Sequence, residues 1–184
     1  MGIRKALSYT KRQVTSYTRK SMKIKNKNYI KAVPLQKVTK FNMGDVRKLL
    51  KGGFTNYIVI YSMMNVQIRD LALEATRQML NNRLTKMLMN NYSLLCKPYP
   101  HQVIRENKTF SGGSKGERVQ SGMAHSFGTT MARSAVVKVG DPIFIIAYQD
   151  KKNTEAIRTL VKSAVPKLPC QCKIIYEENR VIPQ

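Results

Sequence analysis

Cysteine is scarce in this sequence of 184 residues, which contains three. So few cysteines exclude a disulfide framework, and such usage is typical of a reducing compartment. Cys170 and Cys172 are separated by one residue, which is closer than the usual spacing of zinc ligands, and Cys96 does not complete a set of four. We therefore expect all three to be small packing residues, with no metal site and no cofactor.

Acidic residues are also scarce: ten stand against 33 lysines and arginines, which gives a formal net charge of +23. Few globular domains tolerate such self-repulsion without a polyanion that neutralises it. The candidate partners are nucleic acid, an acidic membrane surface and an acidic protein. No apolar run approaches the roughly 20 residues of a membrane-spanning helix, so a membrane is the weakest of the three.

No secretory signal is visible in the first twenty residues, which are basic and polar and lack its apolar centre. Gly2 invites a myristoylation interpretation, but Ala6 stands where serine or threonine is required. A basic, acid-poor start also fits a mitochondrial transit peptide. Because basic arms of RNA-binding proteins have the same composition, we favour an arm.

Residues 1–40 are interpreted as a basic N-terminal arm without any acidic residue. Its apolar residues show no period of 2 or 3.6, so it cannot bury a face of its own. Tyr9, Tyr17 and Tyr29 are interleaved with the cations and offer rings that can stack on bases. The alternative is a solvated tail, but the uncompensated charge favours RNA. The cations of the arm are Arg4, Lys5, Lys11, Arg12, Arg19, Lys20, Lys23, Lys25, Lys27, Lys31, Lys37 and Lys40.

A glycine-rich loop is the second candidate binding element. The stretch 111–116 holds three glycines, two serines and one lysine. Such backbone packs little and costs entropy to order, so the loop is either disordered or ordered by a partner. Glycine lets backbone N–H groups approach phosphates closely, and arginine binds phosphate through two hydrogen bonds. The cations around the loop are Arg105, Lys108, Lys115, Arg118 and Arg133.

A first long helix is predicted after Asn65, which can cap it. Ala75 lies at the centre of one of its two apolar stripes, so Ala75→Asp is expected to unfold the domain. Arg69 and Arg83 interrupt the apolar arc, and their guanidinium groups can reach out towards phosphate. The two stripes are Ile68, Leu71, Ala72, Ala75 and Met79, and Leu73, Leu80, Leu84 and Met87.

The other elements are strands and a second helix. Residues 57–61 are apolar without alternation, which predicts a strand covered on both faces. Further strands are predicted at 94–99, 102–106 and 173–176, and Gly140-Asp141-Pro142 predicts a hairpin between 135–139 and 143–148. Asn153 can cap an amphipathic helix that ends at Pro166. The pattern predicts an α+β fold with a mixed, largely antiparallel sheet and two main helices.

Two other functions compete with structural RNA binding. Gly113–Gly116 matches the GxxG clamp of KH domains, but that clamp joins two helices and residues 103–109 have no helical stripe. His101, His125 and Glu106 could form an acid–base site of an RNA-processing enzyme, but no second carboxylate is suitably spaced. We expect no enzyme activity, with a free-standing KH-like module or an RNA-processing enzyme as the alternatives.

Four stretches in a fixed order carry a family resemblance. They are Tyr99-Pro100-His101 with Arg105–Lys108, then Ser121–Met123 with Phe127-Gly128, Gln67–Arg69 with Ala72–Ala75, and Lys167–Pro169. Together they resemble the universal large-subunit ribosomal protein called L-sixteen in bacteria and L-ten-e in archaea and eukaryotes, with the archaeal and eukaryotic branch closer. The resemblance covers residues 30–178. It departs at Ala124 and His125, where the family usually carries arginines.

The resemblance implies a hammerhead-like α+β fold and a structural protein of cytoplasmic ribosomes that binds large-subunit rRNA. It also implies that the glycine-rich loop lies near the tRNA acceptor ends and the peptidyl-transferase region. Other implied partners are 5S rRNA and neighbouring ribosomal proteins, with no membrane and no small-molecule substrate. The predicted domains are the arm 1–40, a body 41–178 containing the loop 107–123, and a tail 179–184.

The predicted site residues fall into two groups. Those predicted to bind rRNA are Arg4, Lys5, Lys11, Arg12, Arg19, Lys20, Lys23, Lys25, Lys40, Arg69, Arg83, Arg105, Lys108 and Arg133. Those predicted to lie in the loop near the tRNA are Ser111, Gly112, Gly113, Ser114, Lys115, Gly116, Glu117 and Arg118.

Overall fold

The computed structural model describes residues 5–10, 30, 32–89, 91–106 and 129–178. Its strands are β1 (Asn42–Gly44), β2 (Asn56–Ser62), β3 (Val66–Arg69), β4 (Tyr92–Cys96), β5 (Gln102–Glu106), β6 (Thr129–Val137), β7 (Pro142–Tyr148) and β8 (Cys172–Glu178). Its α-helices are α1 (Val46–Leu50), α2 (Asp70–Leu88) and α3 (Thr154–Ala164). No helix among these residues is long and apolar enough to cross a membrane.

Two antiparallel sheets form the body. The larger has the strand order β1-β4-β7-β2-β8, and the smaller has the order β3-β6-β5. The predicted α+β fold with antiparallel pairing and two main helices is therefore confirmed, with the strands divided between two sheets. The domain boundaries inferred from the sequence stay a prediction.

The predicted hairpin around Gly140 is wrong. The turn itself is present, since the backbone N–H of Asp141 donates to the carbonyl of Lys138 at 3.2 Å and Gly140 has φ +83°. However, β6 pairs with β3 and β5, whereas β7 pairs with β2 and β4. A turn signal specifies a chain reversal and not which strands pair, so the chain here passes from one sheet to the other.

Strand β2 is buried on both faces, as its unbroken apolar run predicts. Because side chains alternate along a strand, Ile58 and Ile60 enter the main core beneath the helices. Tyr57 and Val59 belong to a smaller cluster on the opposite face, against which Leu49 of α1 packs. The three cysteines also lie in or against the main core, as expected of packing residues.

Helix α2 begins at Asp70, four residues later than predicted. Residues 66–69 form β3 instead, and the side chain of Asn65 accepts a hydrogen bond from the backbone N–H of Val139 at 3.1 Å rather than capping a helix. The helix buries Leu73, Leu80 and Leu84 of its second predicted stripe, whereas Met87 is exposed. The expectation for Ala75 is wrong, because this residue is exposed.

Helix α3 agrees with its predicted amphipathic stripe, burying Ile157, Leu160, Val161 and Ala164. Asn153 occupies the N-cap position, but its side chain makes no capping hydrogen bond. Instead, the Thr154 hydroxyl donates to the carbonyl of Lys151 at 2.7 Å, which stabilises the start of the helix.

Gly44 ends β1 where this strand passes very close to β4. It has φ +77°, and a Cβ atom placed there would lie 2.1 Å from the carbonyl oxygen of Tyr92. That same carbonyl accepts the backbone N–H of Asp45 at 2.9 Å. Only glycine satisfies both the left-handed backbone and the close approach.

The burial of α2 gives a matched pair of substitutions. We expect Leu80→Ala to lower the free energy of unfolding by about 2–5 kcal/mol, because it leaves a cavity in the main core. Ala75→Asp should change it by less than about 1 kcal/mol, because the new carboxylate is solvated and only helix propensity is lost. Urea unfolding followed by circular dichroism measures both values. An unfolded Ala75→Asp protein beside a stable Leu80→Ala protein would show that the buried side of α2 is assigned wrongly.

Candidate nucleic-acid interface

Four acidic side chains in the described residues accept hydrogen bonds from backbone N–H groups of other residues and so help to hold the fold together. Asp45 starts α1 by accepting the backbone N–H of Lys48 at 2.9 Å. Asp141 accepts a backbone N–H within its own turn at 2.8 Å. Glu178 forms an ion pair with Lys151 at 2.8 Å. Asp45 and Asp141 are thereby less available to neutralise surface cations, whereas Glu178 neutralises an exposed lysine.

Two carboxylates of α2 hold the segment through which the chain enters the body. Asp70 is 1% exposed and accepts the backbone N–H of Lys37 at 3.2 Å. Glu74 is 8% exposed and accepts both the backbone N–H and the hydroxyl of Thr39 at 3.3 Å. Arg77 donates from Nε to Glu74 at 2.8 Å and from Nη2 to the Thr39 hydroxyl at 3.1 Å. Residues 37–39 are thereby fixed to the helix.

The pKa values of Asp70 and Glu74 are shifted in opposite directions by this environment. The hydrogen bond from Arg77 lowers the pKa of Glu74 despite its burial, and the same bond raises the pKa of Arg77. Burial raises the pKa of Asp70, because desolvation outweighs the hydrogen bonds from two backbone N–H groups. Both carboxylates fall outside the two predicted apolar stripes of this helix, so the periodicity of the sequence does not identify this contact.

The N-terminal segment 5–10 binds along β3. The backbone N–H of Gln67 donates to the carbonyl of Thr10 at 2.9 Å, and its side-chain amide donates to the carbonyl of Tyr9 at 2.6 Å. The Ser134 hydroxyl donates to Gln67 Oε1 at 3.2 Å and fixes this amide. Lys5, at the start of the segment, is exposed. Part of the predicted arm is therefore attached to the smaller sheet.

Three arginines that were predicted to bind rRNA lie in the strands of the smaller sheet. Arg69 pairs with Ser134 across β3 and β6, and it is 3% exposed, which leaves little surface for a phosphate. Arg133 is half-buried and donates from Nε to the carbonyl of Pro34 at 2.7 Å, so it also binds the entering segment. Arg105 is half-buried near the end of β5. Contact of these arginines with RNA stays a prediction.

Strands β5 and β6 bring the two ends of the glycine-rich segment side by side. Glu106 and Thr129 are paired at the last position of the ladder, and the register shifts between Ile104 and Arg105. Residues 107–128, which join the two strands, lie outside the described residues. The sheet therefore determines where this segment leaves the body and where it returns.

Exposed cations also lie on the two packed helices. Arg83 donates from Nη1 to the Ser163 hydroxyl at 3.2 Å, which joins the exposed sides of α2 and α3. Arg83 was predicted as a site residue, whereas the cations on or after α3 were not. Arg158 and Lys162 could have been identified from the sequence, because both lie on the exposed side of this amphipathic helix, whereas Lys167 lies beyond its end. The cations of this two-helix basic surface are Arg83, Lys86, Arg158, Lys162 and Lys167.

The remaining predicted site residues divide by position. Lys40 is exposed just before β1. The others lie outside the described part of the chain, and their roles stay predictions. They are Arg4, Lys11, Arg12, Arg19, Lys20, Lys23, Lys25, Lys108, Ser111, Gly112, Gly113, Ser114, Lys115, Gly116, Glu117 and Arg118.

The geometry favours neither alternative function. The described elements on either side of Gly113–Gly116 are the strands β5 and β6, whereas a KH clamp joins helices. His101 is exposed, with Nδ1 3.1 Å from the carbonyl oxygen of Tyr99, while His125 lies outside the described residues. Within the described ranges, no group of three His, Cys, Asp or Glu side chains could hold a metal ion.

Known proteins similar to this chain are ribosomal. The family profile described as Ribosomal protein L16p/L10e matches residues 14–175. A large ribosomal subunit protein uL16 from Thermoplasma volcanium is 31% identical over 183 residues, which are 99% of this chain and 97% of the relative. The protein of the same name from Halobacterium salinarum is 31% identical over 99% of this chain and 98% of its own. The one from Sulfolobus acidocaldarius is 35% identical over 95% and 93%.

The buried ion pair between Glu74 and Arg77 leads us to predict a stability that depends on pH. We expect Glu74→Gln to lower the free energy of unfolding at neutral pH by about 1.5–3 kcal/mol, because Arg77 loses its charged acceptor. A glutamate whose pKa is lowered by folding stabilises the fold fully above the pKa of an unfolded chain, about 4.3. That contribution is lost as the pH falls through the lowered value.

Urea unfolding at neutral and acidic pH measures this difference. The difference in free energy of unfolding between the original chain and Glu74→Gln should become smaller as the pH falls. Glu155→Gln is the matched control, because Glu155 is exposed on α3 and its loss should cost less than about 0.5 kcal/mol at either pH. If this difference in free energy of unfolding stays constant with pH, the charge of Glu74 does not stabilise the fold.

Proposed function

The chain belongs to the L16p/L10e family of ribosomal proteins, and on that premise we propose that it binds rRNA in the large ribosomal subunit as a structural protein. The observation that carries the proposal is the use of four of the ten acidic side chains to bind backbone groups of the fold. Asp70 and Glu74 are buried against the entering segment, and Asp45 and Asp141 serve a cap and a turn. These acids are engaged within the fold, so the surplus of lysine and arginine is left for a polyanionic partner.

The proposed mechanism is neutralisation and positioning. Lysines and arginines that contact phosphates release condensed counterions from the RNA, which supplies binding free energy without reading the base sequence. The two sheets and two helices hold these cations in a fixed arrangement, so binding also orders the RNA around the protein. No bond-forming chemistry is required of any side chain.

Three surfaces contribute in this proposal. The arm tracks rRNA from its attachment at Gln67 and its second attachment at residues 37–39. The two-helix basic surface contacts a separate stretch of RNA. The segment 107–128 extends from the paired ends of β5 and β6 and helps to shape the region that receives the tRNA acceptor ends. The protein acts in the cytoplasm, with 5S rRNA and neighbouring ribosomal proteins as further candidate contacts.

Sedimentation tests the proposed function directly. Tagged full-length protein, expressed in cells whose ribosomes it can enter, should co-sediment with large subunits and remain with them in high-salt gradients. A tagged Leu80→Ala protein is the control for folding, because it should be lost from the subunits without any change of surface charge. Migration as free protein or with mRNA would contradict the proposal.

Salt dependence tests the neutralisation mechanism. If roughly eight phosphates are contacted, log K for an rRNA fragment should fall with log salt with a slope of about −6 to −7. Changing Lys11, Arg12, Arg19 and Lys20 together to glutamine should flatten the slope by about 3, because four contacts are lost. This variant keeps residues 5–10 and so leaves the attachment to β3 intact.

Filter binding over a range of salt concentrations gives the slope. Lys151→Gln is the matched control, because its ammonium is already paired with Glu178 and it should leave the slope nearly unchanged. An arm variant with an unaltered slope would show that the arm is a passive tail.

The loop prediction separates structure from function. Replacing residues 112–118 by two glycines should leave folding and subunit incorporation largely intact, because shortening a surface loop changes the closure entropy only slightly. The segment removed contains two cations, Lys115 and Arg118, and one acid, Glu117. Subunits that carry the shortened protein should nonetheless be slow in translation or late maturation, since the part near the tRNA ends is missing.

Subunit occupancy compared with polysome content measures this effect. Full occupancy with depleted polysomes is the expected outcome. Full occupancy with normal polysomes and normal growth would show that the segment has no role near the tRNA.

A further inference from the structure

Two thiols face each other at the turn that leads into β8. The sulfur atoms of Cys170 and Cys172 are 3.6 Å apart, and Cys172 Sγ also lies 3.5 Å from the carbonyl oxygen of Cys170. Both cysteines are free. A disulfide between them would require the two sulfurs to approach to about 2.05 Å.

The backbone around the two thiols is held in place by β2. The carbonyl of Gln171 accepts the backbone N–H of Met63 at 3.0 Å, and Cys172 is paired with Ser62 at the end of the ladder. The residue between the two cysteines is therefore tied to a neighbouring strand. The short distance between the sulfurs is a property of the folded turn as well as of the spacing in sequence.

The two thiols differ chemically. The hydrogen bond from Cys172 lowers the pKa of Cys170, whereas the same bond and burial raise the pKa of Cys172. Cys170 is thus the thiol that is ionised more readily, and Cys172 is a neutral thiol beside it. Thiolates are the reactive form of cysteine towards oxidants, and a neighbouring thiol can then resolve the product.

We propose that Cys170 and Cys172 form a reversible oxidation site at which hydrogen peroxide converts the two thiols into an intramolecular disulfide. The Cys170 thiolate attacks one peroxide oxygen, an S–O bond forms as the O–O bond breaks, and the departing hydroxide takes a proton to become water. The Cys172 thiol then loses its proton as its sulfur attacks Cys170, an S–S bond forms, and the second oxygen leaves as water. Two electrons pass from the sulfurs to peroxide, and a dithiol reductant reverses the change.

Cys96 supplies an internal control for this site. It is 4% exposed within the main core, and burial raises its pKa to about 12. It has no second thiol to resolve an oxidised product among the described contacts. Cys170 is 9% exposed and Cys172 is half-buried, so a molecule close to water in size can reach the pair more easily than Cys96. The site is independent of RNA binding and adds a chemical property to the proposed function.

Differential alkylation of the full-length chain tests the proposal. Reduced, folded protein is treated with increasing hydrogen peroxide, quenched, denatured and alkylated, and its tryptic peptides are analysed by mass spectrometry. Cleavage after Lys167 and Lys173 releases both cysteines of the pair in one short peptide without Cys96. The expected result is loss of both alkylations and of two hydrogen masses in this peptide, at a rate at least about tenfold above that of Cys96. Dithiothreitol should restore both alkylations.

Two comparisons make the result specific to the folded turn. The same treatment of the chain in denaturant should oxidise the pair more slowly, because the turn is lost. Cys172→Ser should give no disulfide and should leave a sulfenic acid at Cys170 that dimedone traps, while Cys96→Ser should oxidise like the original chain. The proposal is overturned if the pair stays fully alkylated, if disulfides form between molecules instead, or if the folded and denatured chains react equally fast.

Discussion

The buried ion pair between Glu74 and Arg77 is the contact on which the path of the chain into the body depends. Glu74 holds the entering segment at Thr39, and Arg77 reaches Met43 of the edge strand β1 through Nη1 at 3.0 Å. One pair therefore joins helix α2, the entering segment and the larger sheet. Taking two charges out of water is unfavourable unless further hydrogen bonds satisfy them, and the Thr39 and Gln78 side chains supply such bonds here. Losing one member would leave the other charge buried without its partner, so it would cost more than the pair itself contributes.

The elements that sequence patterns predicted well are those whose signal is local. Strand β2 and helix α3 follow from an unbroken apolar run and from a clean amphipathic stripe. The start of α2 was predicted wrongly because residues 66–69 satisfy two patterns: Val66 and Ile68 enter the core on one side of β3, while Gln67 lies on the other side. Over four residues, alternation and a helical stripe cannot be told apart. The division into two sheets could not be predicted either. A turn at Gly140 does not specify with which other strands β6 and β7 will pair.

The candidate interface, too, could be predicted only in part from the sequence. Net charge is a sum over the sequence, so it indicates a polyanionic partner whatever the fold. Which cations remain uncompensated depends on where each acid lies in three dimensions. Asp70 and Glu74 fall outside both predicted apolar stripes and are nonetheless buried. Arg133, which was predicted to bind rRNA, donates to a backbone carbonyl. The family resemblance supplied the ribosomal assignment, whereas the attachment of residues 5–10 and 37–39 to the body came only from the structure.

The attachment of the N-terminal segment also changes one edge of the smaller sheet. Strand β3 lies at the border of this sheet, where unpaired backbone groups can recruit a strand from another molecule and begin aggregation. The backbone N–H of Gln67 on that border donates to the carbonyl of Thr10, so it is not available to such a strand. Residues 9–10, which belong to the predicted arm, therefore also cover part of an edge through which two copies of the chain could pair.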